Sequence, residues 1–404
     1  MRDETLAFVR EGYLFGTRRF ERAGADVATT RLAGVPLTLL RGADAARFFS
    51  EAGRFIRAGA MPASVQHLLQ DEGSVQALEG ATHRQRKALF LGLLTDGAAG
   101  GLVEAFEREL TAAARACAGG EVRLIDLFSL SLLRAVCAWT GLPERVAAEL
   151  ERSGALQRMI AAAGTVGPVN WFARLRWRDA ERLLAETVAR ERHAPSAPPG
   201  SPLAVLAAYG EPDPLPPEIA AVELLNILRP VVAVAWFLTF AALALHRRPA
   251  WRGRLGSAQS DDVRRFSNEV RRFYPFFPFV AGRAARDLEW DGRRFPAGAR
   301  VALDLYATDH HPALWEAPGR FDPERFGGRA IEPNTLIPQG GGHYADDHRC
   351  PGEPVTLDLM DAGVRLLTRR IHYAVPEQDL RVSLRRFPTL PRSGLVVGRL
   401  AVHD

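Results

Sequence analysis

The sequence predicts a helix-rich α+β fold, mainly α with small β-sheets, built as one domain over residues 1–404. Three observations carry that expectation. Short apolar stretches bounded by glycine open the chain, helical periodicity dominates from about 64 to 273, and strand-like patterning returns near residue 300. The composition, 47% hydrophobic and 25% charged, is that of a folded globular chain and excludes disorder, collagen and coiled coil.

Val35–Leu40, set between Gly34 and Gly42, reads as a strand of a small sheet within a β-rich part at about 25–60. The helical body, about 64–273, is dominated by Ala, Leu, Arg and Glu, which lose little freedom in a helix. Leu102–Cys117, Pro143–Arg152 and Asp179–Arg192 carry its helical period most clearly. Eight prolines between Pro195 and Pro217 read as a surface loop rather than a linker, because Leu203–Tyr209 among them is apolar. Pro230–Leu245 is apolar for sixteen residues between Arg229 and His246. That falls short of the ~20 needed to span a bilayer and suits a helix buried in a large core. In the part at 274–404, Pro296, Ala297 and Gly298 form a turn ahead of a strand at Arg300–Tyr306.

Three cysteines, Cys117, Cys137 and Cys350, are too few to staple a secreted fold, so a reducing, cytoplasmic setting is expected. Cys117 and Cys137 lie on apolar helix faces and read as core. The net charge of +5 comes from dispersed arginines with no basic block, which argues against a nucleic-acid partner. Met1–Phe20 mixes charges with apolar residues and predicts neither a signal peptide nor a transmembrane anchor.

The densest chemistry lies at Leu336–Glu353. Gly340, Gly341 and Gly342 lead through His343, His348 and Arg349 to Cys350, Pro351, Gly352 and Glu353. Val355, Leu359, Ala362 and Leu366 then recur at helical spacing, so Cys350 is expected at or beside an N-cap, with Pro351 in the first turn. Backbone N–H groups, Arg349 and His348 would favour its thiolate, and the glycines let something flat approach the backbone. Three uses compete: a nucleophile with His348 as base, a zinc site with His343 and His348, and a haem ligand.

Two further motifs join this loop. Glu269, Val270, Arg271 and Arg272 form a Glu-x-x-Arg helix element, and Phe321–Phe326 reads Phe-Asp-Pro-Glu-Arg-Phe. In this order and spacing, with Cys350 and Gly352, they resemble the cytochromes P450. The resemblance implies the cytochrome P450 fold, haem b with Cys350 as axial thiolate, and a network of Glu269, Arg272 and Arg325 that holds the cysteine loop.

Most of that superfamily carries an acid and an alcohol on the long helix over the haem. This chain reads Asn226, Ile227, Leu228, Arg229, Pro230, Val231, Val232, Ala233, Val234 there. Pro230 lacks an N–H, so a kink is expected at Arg229. The guanidinium is set among apolar residues, with Glu223 six positions back and off its face. A buried guanidinium calls for an anion, and its fork fits a carboxylate.

Asn226–Pro230, with Glu11–Phe15, Leu303–Tyr306 and Val375–Gln378, resembles the fatty-acid peroxygenase branch of the superfamily, from about Leu6 to Val397. This resemblance implies a long-chain fatty acid as substrate, hydrogen peroxide as oxidant with no redox partner, and hydroxylation at the α or β carbon. The substrate carboxylate on Arg229 would serve as general acid–base, with Pro230 and Gln76 at the catalytic pocket. Competing readings are decarboxylation to terminal alkenes, a reductase-dependent monooxygenase and a non-catalytic haem or fatty-acid binding protein. His83, Arg86, Lys87 and His348 match positions that neutralise the haem propionates, and Phe276, Phe277 and Phe279 are expected to line the substrate pocket. Asp347, where glycine commonly stands, and Gln70, where some relatives present an aromatic ring, depart from the family pattern.

Overall fold

The computed structural model describes residues 2–61, 73–165, 167–257, 260–328 and 330–403; Gln70 and the expected start of the helical body near 64 lie outside them. The helices run α1 (Thr5–Glu11), α2 (Leu14–Ala23), α3 (Ala43–Ser50), α4 (Gly80–Leu93), α5 (Asp96–Ala116), α6 (Leu124–Thr140), α7 (Glu144–Ser153), α8 (Ala155–Ala162), α9 (Pro168–His193), α10 (Pro202–Ala208), α11 (Pro217–Arg247), α12 (Pro249–Ser257), α13 (Ser260–Phe273), α14 (Leu305–Asp309) and α15 (Glu353–Arg369). The strands run β1 (Val27–Leu32), β2 (Val35–Leu40), β3 (Phe55–Ile56), β4 (Val122–Arg123), β5 (Phe279–Ala284), β6 (Leu288–Trp290), β7 (Arg293–Phe295), β8 (Arg300–Asp304), β9 (Ile371–Ala374) and β10 (Val396–Val402).

The expected strands at Val35–Leu40 and near residue 300 join in one sheet, ordered β1-β2-β8-β5-β3. β1 and β2 form an antiparallel hairpin turning at Ala33 and Gly34, both at positive φ, and β8 pairs parallel to β2. β8 ends at Asp304 rather than Tyr306. The Asp304 carboxylate accepts from the Ala307 N–H at 2.8 Å, capping α14 and converting the chain to helix two residues early.

One apolar core runs from Val75 to Leu400 and is organised around α11, on which Leu224, Leu225, Leu228, Leu238 and Phe240 are fully buried. Among the described residues α11 is the one helix long and apolar enough to cross a membrane, yet 94% of its apolar window is buried in the protein, as a core helix requires. α15 crosses it so closely that a Cβ on Gly363 would meet Leu238 at 2.4 Å. Val355, Leu359, Ala362 and Leu366 of α15 are buried, as their spacing predicts. The proline-rich loop carries α10, whose Leu203 and Leu206 seat it on the core. Cys137 is buried and Cys117 half-buried against that core. α9 runs from Pro168 and so contains the segment Asp179–Arg192 on which the helical period is clearest.

Candidate active site

Cys350 lies in a turn two residues before Gly352, the N-cap of α15. Pro354, not Pro351, occupies the first helical turn, because Pro351 and Gly352 form a bend closed by the Glu353 N–H on the Cys350 carbonyl at 3.4 Å. The Cys350 N–H donates to the Gln339 carbonyl at 3.2 Å, which fixes the other side of the loop. Gly342, at φ 97°, faces Ser50 and Asp347 so tightly that a Cβ would come within 2.6 Å of Ser50. Asp347 serves the loop itself: its carboxylate accepts from the His343 N–H at 2.7 Å.

Burial pushes the Cys350 thiol above its ordinary range, outweighing the Gly352 N–H, Lys87 and Arg271, which favour the thiolate. A backbone N–H and nearby cations favour the thiolate, as the sequence implies, but the cations are Lys87 and Arg271 rather than Arg349 and His348, and burial opposes them. Desolvation wins until a cation sits on the sulfur. His348 is directed to Glu79, with Nε2 3.4 Å from its carboxylate, and His343 is exposed beside Asp346. Among the described residues no cluster of three or more His, Cys, Asp or Glu side chains is placed to hold a metal, so the zinc reading with His343, His348 and Cys350 finds no site.

The loop is tied to the rest of the fold by buried charges. Arg272 donates to both oxygens of Glu269 at 2.7 and 2.8 Å, and Arg325 donates to the same carboxylate at 3.1 Å. Arg272 also donates to the Asp309 carbonyl at 2.9 Å, and Asp309 accepts from the Ile337 N–H at 2.9 Å, where the glycine loop starts. Arg271 adds a link that the motif spelled out but left unread: it donates to Glu353, which also accepts from Arg349 at 2.7 Å. One carboxylate thus joins α13 to the residue preceding Cys350.

A second polar group crosses α11. The helix continues through Pro230, and Arg229 is only 3% exposed. Its Nη2 donates to Asn226 Oδ1 at 2.8 Å, and Gln76 Nε2 reaches the same oxygen at 3.4 Å. Asn226 Nδ2 donates to Glu223 at 2.9 Å. Glu223 is fully buried and also accepts from Arg86 at 2.6 Å and from the Val75 N–H at 2.9 Å. Burial pushes its carboxyl up, and Asn226 and Arg86 pull it back. Glu223 is therefore not remote from Arg229 but joined to it through Asn226. Arg86, expected with His83 and Lys87, turns to Glu223 instead. Helical spacing alone could not separate these residues, because their partners come from distant segments.

On the other side of the cysteine loop the cations crowd. The His83 and His348 rings lie 4.0 Å apart, tilted by 31°, and Lys87 donates to the carbonyls of Asp347 and Arg349, the latter at 2.8 Å. Arg57, which sequence reasoning passed over, lies over the Phe49 ring at 4.1 Å and donates to the Ala281 carbonyl at 3.3 Å. Its buried Nε finds no acceptor among the described residues. Burial lowers all four: Arg57 to about 10, Lys87 to about 8, His83 to about 4, and His348 below its ordinary value. A cluster of buried donors with an unsatisfied Arg57 Nε, beside a buried thiol that needs a cation, suits a flat group carrying both a metal and carboxylates.

Comparison with known proteins agrees. Residues 263–385 match the family described as Cytochrome P450. The solved structure of cytochrome P450SP alpha (CYP152B1) superposes with a TM-score of 0.94 at 38% identity, covering 100% of both chains. The chain belongs to the cytochrome P450 family. Within it, the likeness is to the CYP152 members. Cytochrome P450EX alpha (CYP152N1) with myristic acid matches at 35% identity and TM-score 0.93, over 99% of this chain and 98% of that one. Cytochrome P450 OleT in complex with arachidonic acid matches at 31% and 0.94, over 100% and 97%. Among curated relatives, Cytochrome P450 4A24 of Sus scrofa is 32% identical over 108 residues, which are 26% of this chain and 21% of that protein. The cofactor of a cytochrome P450 is haem b with a cysteine thiolate on the iron.

The expected pocket aromatics separate. Phe276 packs on Phe237 of α11 at 4.9 Å and on Phe277 at 4.3 Å. Phe279, the first residue of β5, turns instead toward the N-terminal helices, 5.7 Å from Phe8.

Proposed function

We propose that this cytochrome P450 is a cytoplasmic peroxygenase that uses hydrogen peroxide to hydroxylate long-chain fatty acids at the α or β carbon, without a redox partner. The observation that carries the reading is Arg229: a guanidinium 3% exposed, on a helix that offers no acid–alcohol pair over Asn226–Val234.

Cys350 would supply the thiolate that holds the haem, and Arg57, His83, Lys87 and His348 would be the donors for its propionates. When bound, the haem would supply the oxidising chemistry for peroxide-driven hydroxylation. Arg229 binds the fatty-acid carboxylate through its fork, while Asn226, held by Glu223, sets the guanidinium's orientation. The bound carboxylate moves the proton that a protein acid moves elsewhere, taking it from one oxygen of peroxide and returning it to the other, so that water leaves. Pinning the carboxylate holds the α and β carbons nearest the reacting centre whatever the chain length. Gln76 reaches Asn226 Oδ1 at 3.4 Å, and by the resemblance a glutamine rather than a histidine at this position suits hydroxylation over decarboxylation.

The test is to incubate the holoenzyme with hydrogen peroxide and a long-chain fatty acid and analyse the products by mass spectrometry. A 2- or 3-hydroxy acid is expected. Arg229→Ala should form none, and a small carboxylic acid should restore oxidation of uncharged substrates. Absence of any oxidised product, or full activity in Arg229→Ala, would overturn the reading.

A further inference from the structure

The side-chain amide of Gln339 is aimed at the sulfur of Cys350. Its Nε2 donates to Thr356 Oγ1 at 3.1 Å and reaches Cys350 Sγ at 3.8 Å, within range for a large, soft acceptor. The Gln339 carbonyl also accepts the Cys350 N–H at 3.2 Å, so one residue grips the cysteine through both backbone and side chain. Thr356, in the first turn of α15, decides which way the amide faces. Its single hydroxyl hydrogen goes to the Gly352 carbonyl at 2.9 Å, which leaves the oxygen able only to accept. An N–H and not Oε1 must therefore face Thr356, and the second hydrogen of the same nitrogen is left for the sulfur.

Packing does not account for an amide in this place. Gln339 Oε1 is buried with no partner among the described residues, and an acceptor left unmade costs stability that a leucine of similar size would not. The backbone beside the sulfur offers little in its stead. Pro351 has no N–H to bring, which leaves the Gly352 N–H as the backbone group that favours the thiolate. A side-chain donor adds a second hydrogen bond where the chain itself supplies few.

We infer that Gln339 is a positioning residue that sets how strongly the Cys350 thiolate donates to the iron it holds. A hydrogen bond to the sulfur draws electron density away from the metal. It favours the ferrous state, in which the sulfur carries more negative charge, over the ferric one. Thr356 acts through Gln339, holding the amide so that nitrogen rather than oxygen meets the sulfur. This role requires Cys350 as the haem ligand, as in the family, and neither peroxide nor a fatty acid.

The experiment is a spectroelectrochemical titration of the haem-loaded protein, free of substrate and peroxide, together with resonance Raman spectra of the ferric state. Gln339→Leu removes the donor and the unpartnered oxygen while keeping the volume. Its ferric–ferrous equilibrium should shift toward ferric by on the order of tenfold, about 59 mV for one electron. Its Fe–S stretch should rise in frequency, with the thiolate signature of the reduced-CO spectrum retained. Thr356→Val should move both readouts the same way, because the amide loses its anchor, and Thr356→Ser should keep the wild-type values. A leucine variant with the wild-type potential and Fe–S stretch, or with a raised potential, overturns the inference. Should Gln339→Leu fail to retain haem, Thr356→Val decides: a lowered potential supports the role and an unchanged one overturns it. Because no turnover is read, a failed hydroxylation assay leaves this result standing.

Discussion

Asn226→Asp isolates the polar group that presents Arg229. The replacement keeps shape and position but changes Oδ1 from a neutral to an ionised acceptor, 2.8 Å from the Arg229 guanidinium. It also replaces the amide that donates to Glu223 at 2.9 Å with a second acidic group. Two carboxyl groups so close do not both ionise at neutral pH, so the pair retains a proton that it releases as pH rises. The internal carboxylate then competes with the substrate's for Arg229. A hydrogen bond to a charged group contributes about 1.5–3 kcal/mol, and ~1.4 kcal/mol is tenfold in affinity. Fatty-acid binding, read as the haem spectral shift on titration, should weaken by roughly 10- to 150-fold, and more at higher pH. Wild-type affinity, flat with pH, in a variant with an intact reduced-CO spectrum would refute the reasoning.

Two further substitutions test what holds the site. Glu269→Ala strands the buried guanidinium groups of Arg272 and Arg325 and should lower stability in urea by about 3–5 kcal/mol; a loss under ~1 kcal/mol would show that the network does not hold the fold. Asp304 is fully buried, and burial pushes its carboxyl up to about 7 from an ordinary 3.8. Between those values the folded chain keeps a proton that the unfolded chain has released, so stability falls as pH rises through that window. Asp304→Asn keeps the acceptor for the Ala307 N–H and should gain on the wild type in urea from pH 4 to 7. Parallel curves for the two proteins would contradict the assignment.

Local spacing made much of the molecule legible. The α15 stripe, the glycine-bounded strand at Val35–Leu40 and the Glu-x-x-Arg pair are each defined by neighbours within a turn or two, and each forms as its spacing implies. Arg229 was legible because a cation beside Pro230 stands out in an apolar run. What escaped were partnerships between distant segments. Arg86 sits on a face that reads as basic, yet its partner Glu223 is 137 residues away. Arg57 lies in a segment without periodicity and becomes notable only when β3 lays it against Phe49 and Ala281. The burial that opposes ionisation of Cys350 is not visible in sequence, whereas neighbouring charges are.

The central claim is that the substrate brings the proton-moving group and Arg229 holds it. The most direct measurement is a crystal structure of the holoenzyme with a long-chain fatty acid. The account predicts the carboxylate in two hydrogen bonds with the Arg229 guanidinium, with Asn226 still bridging it to Glu223. A head group held elsewhere, with Arg229 bound only to protein, would contradict it.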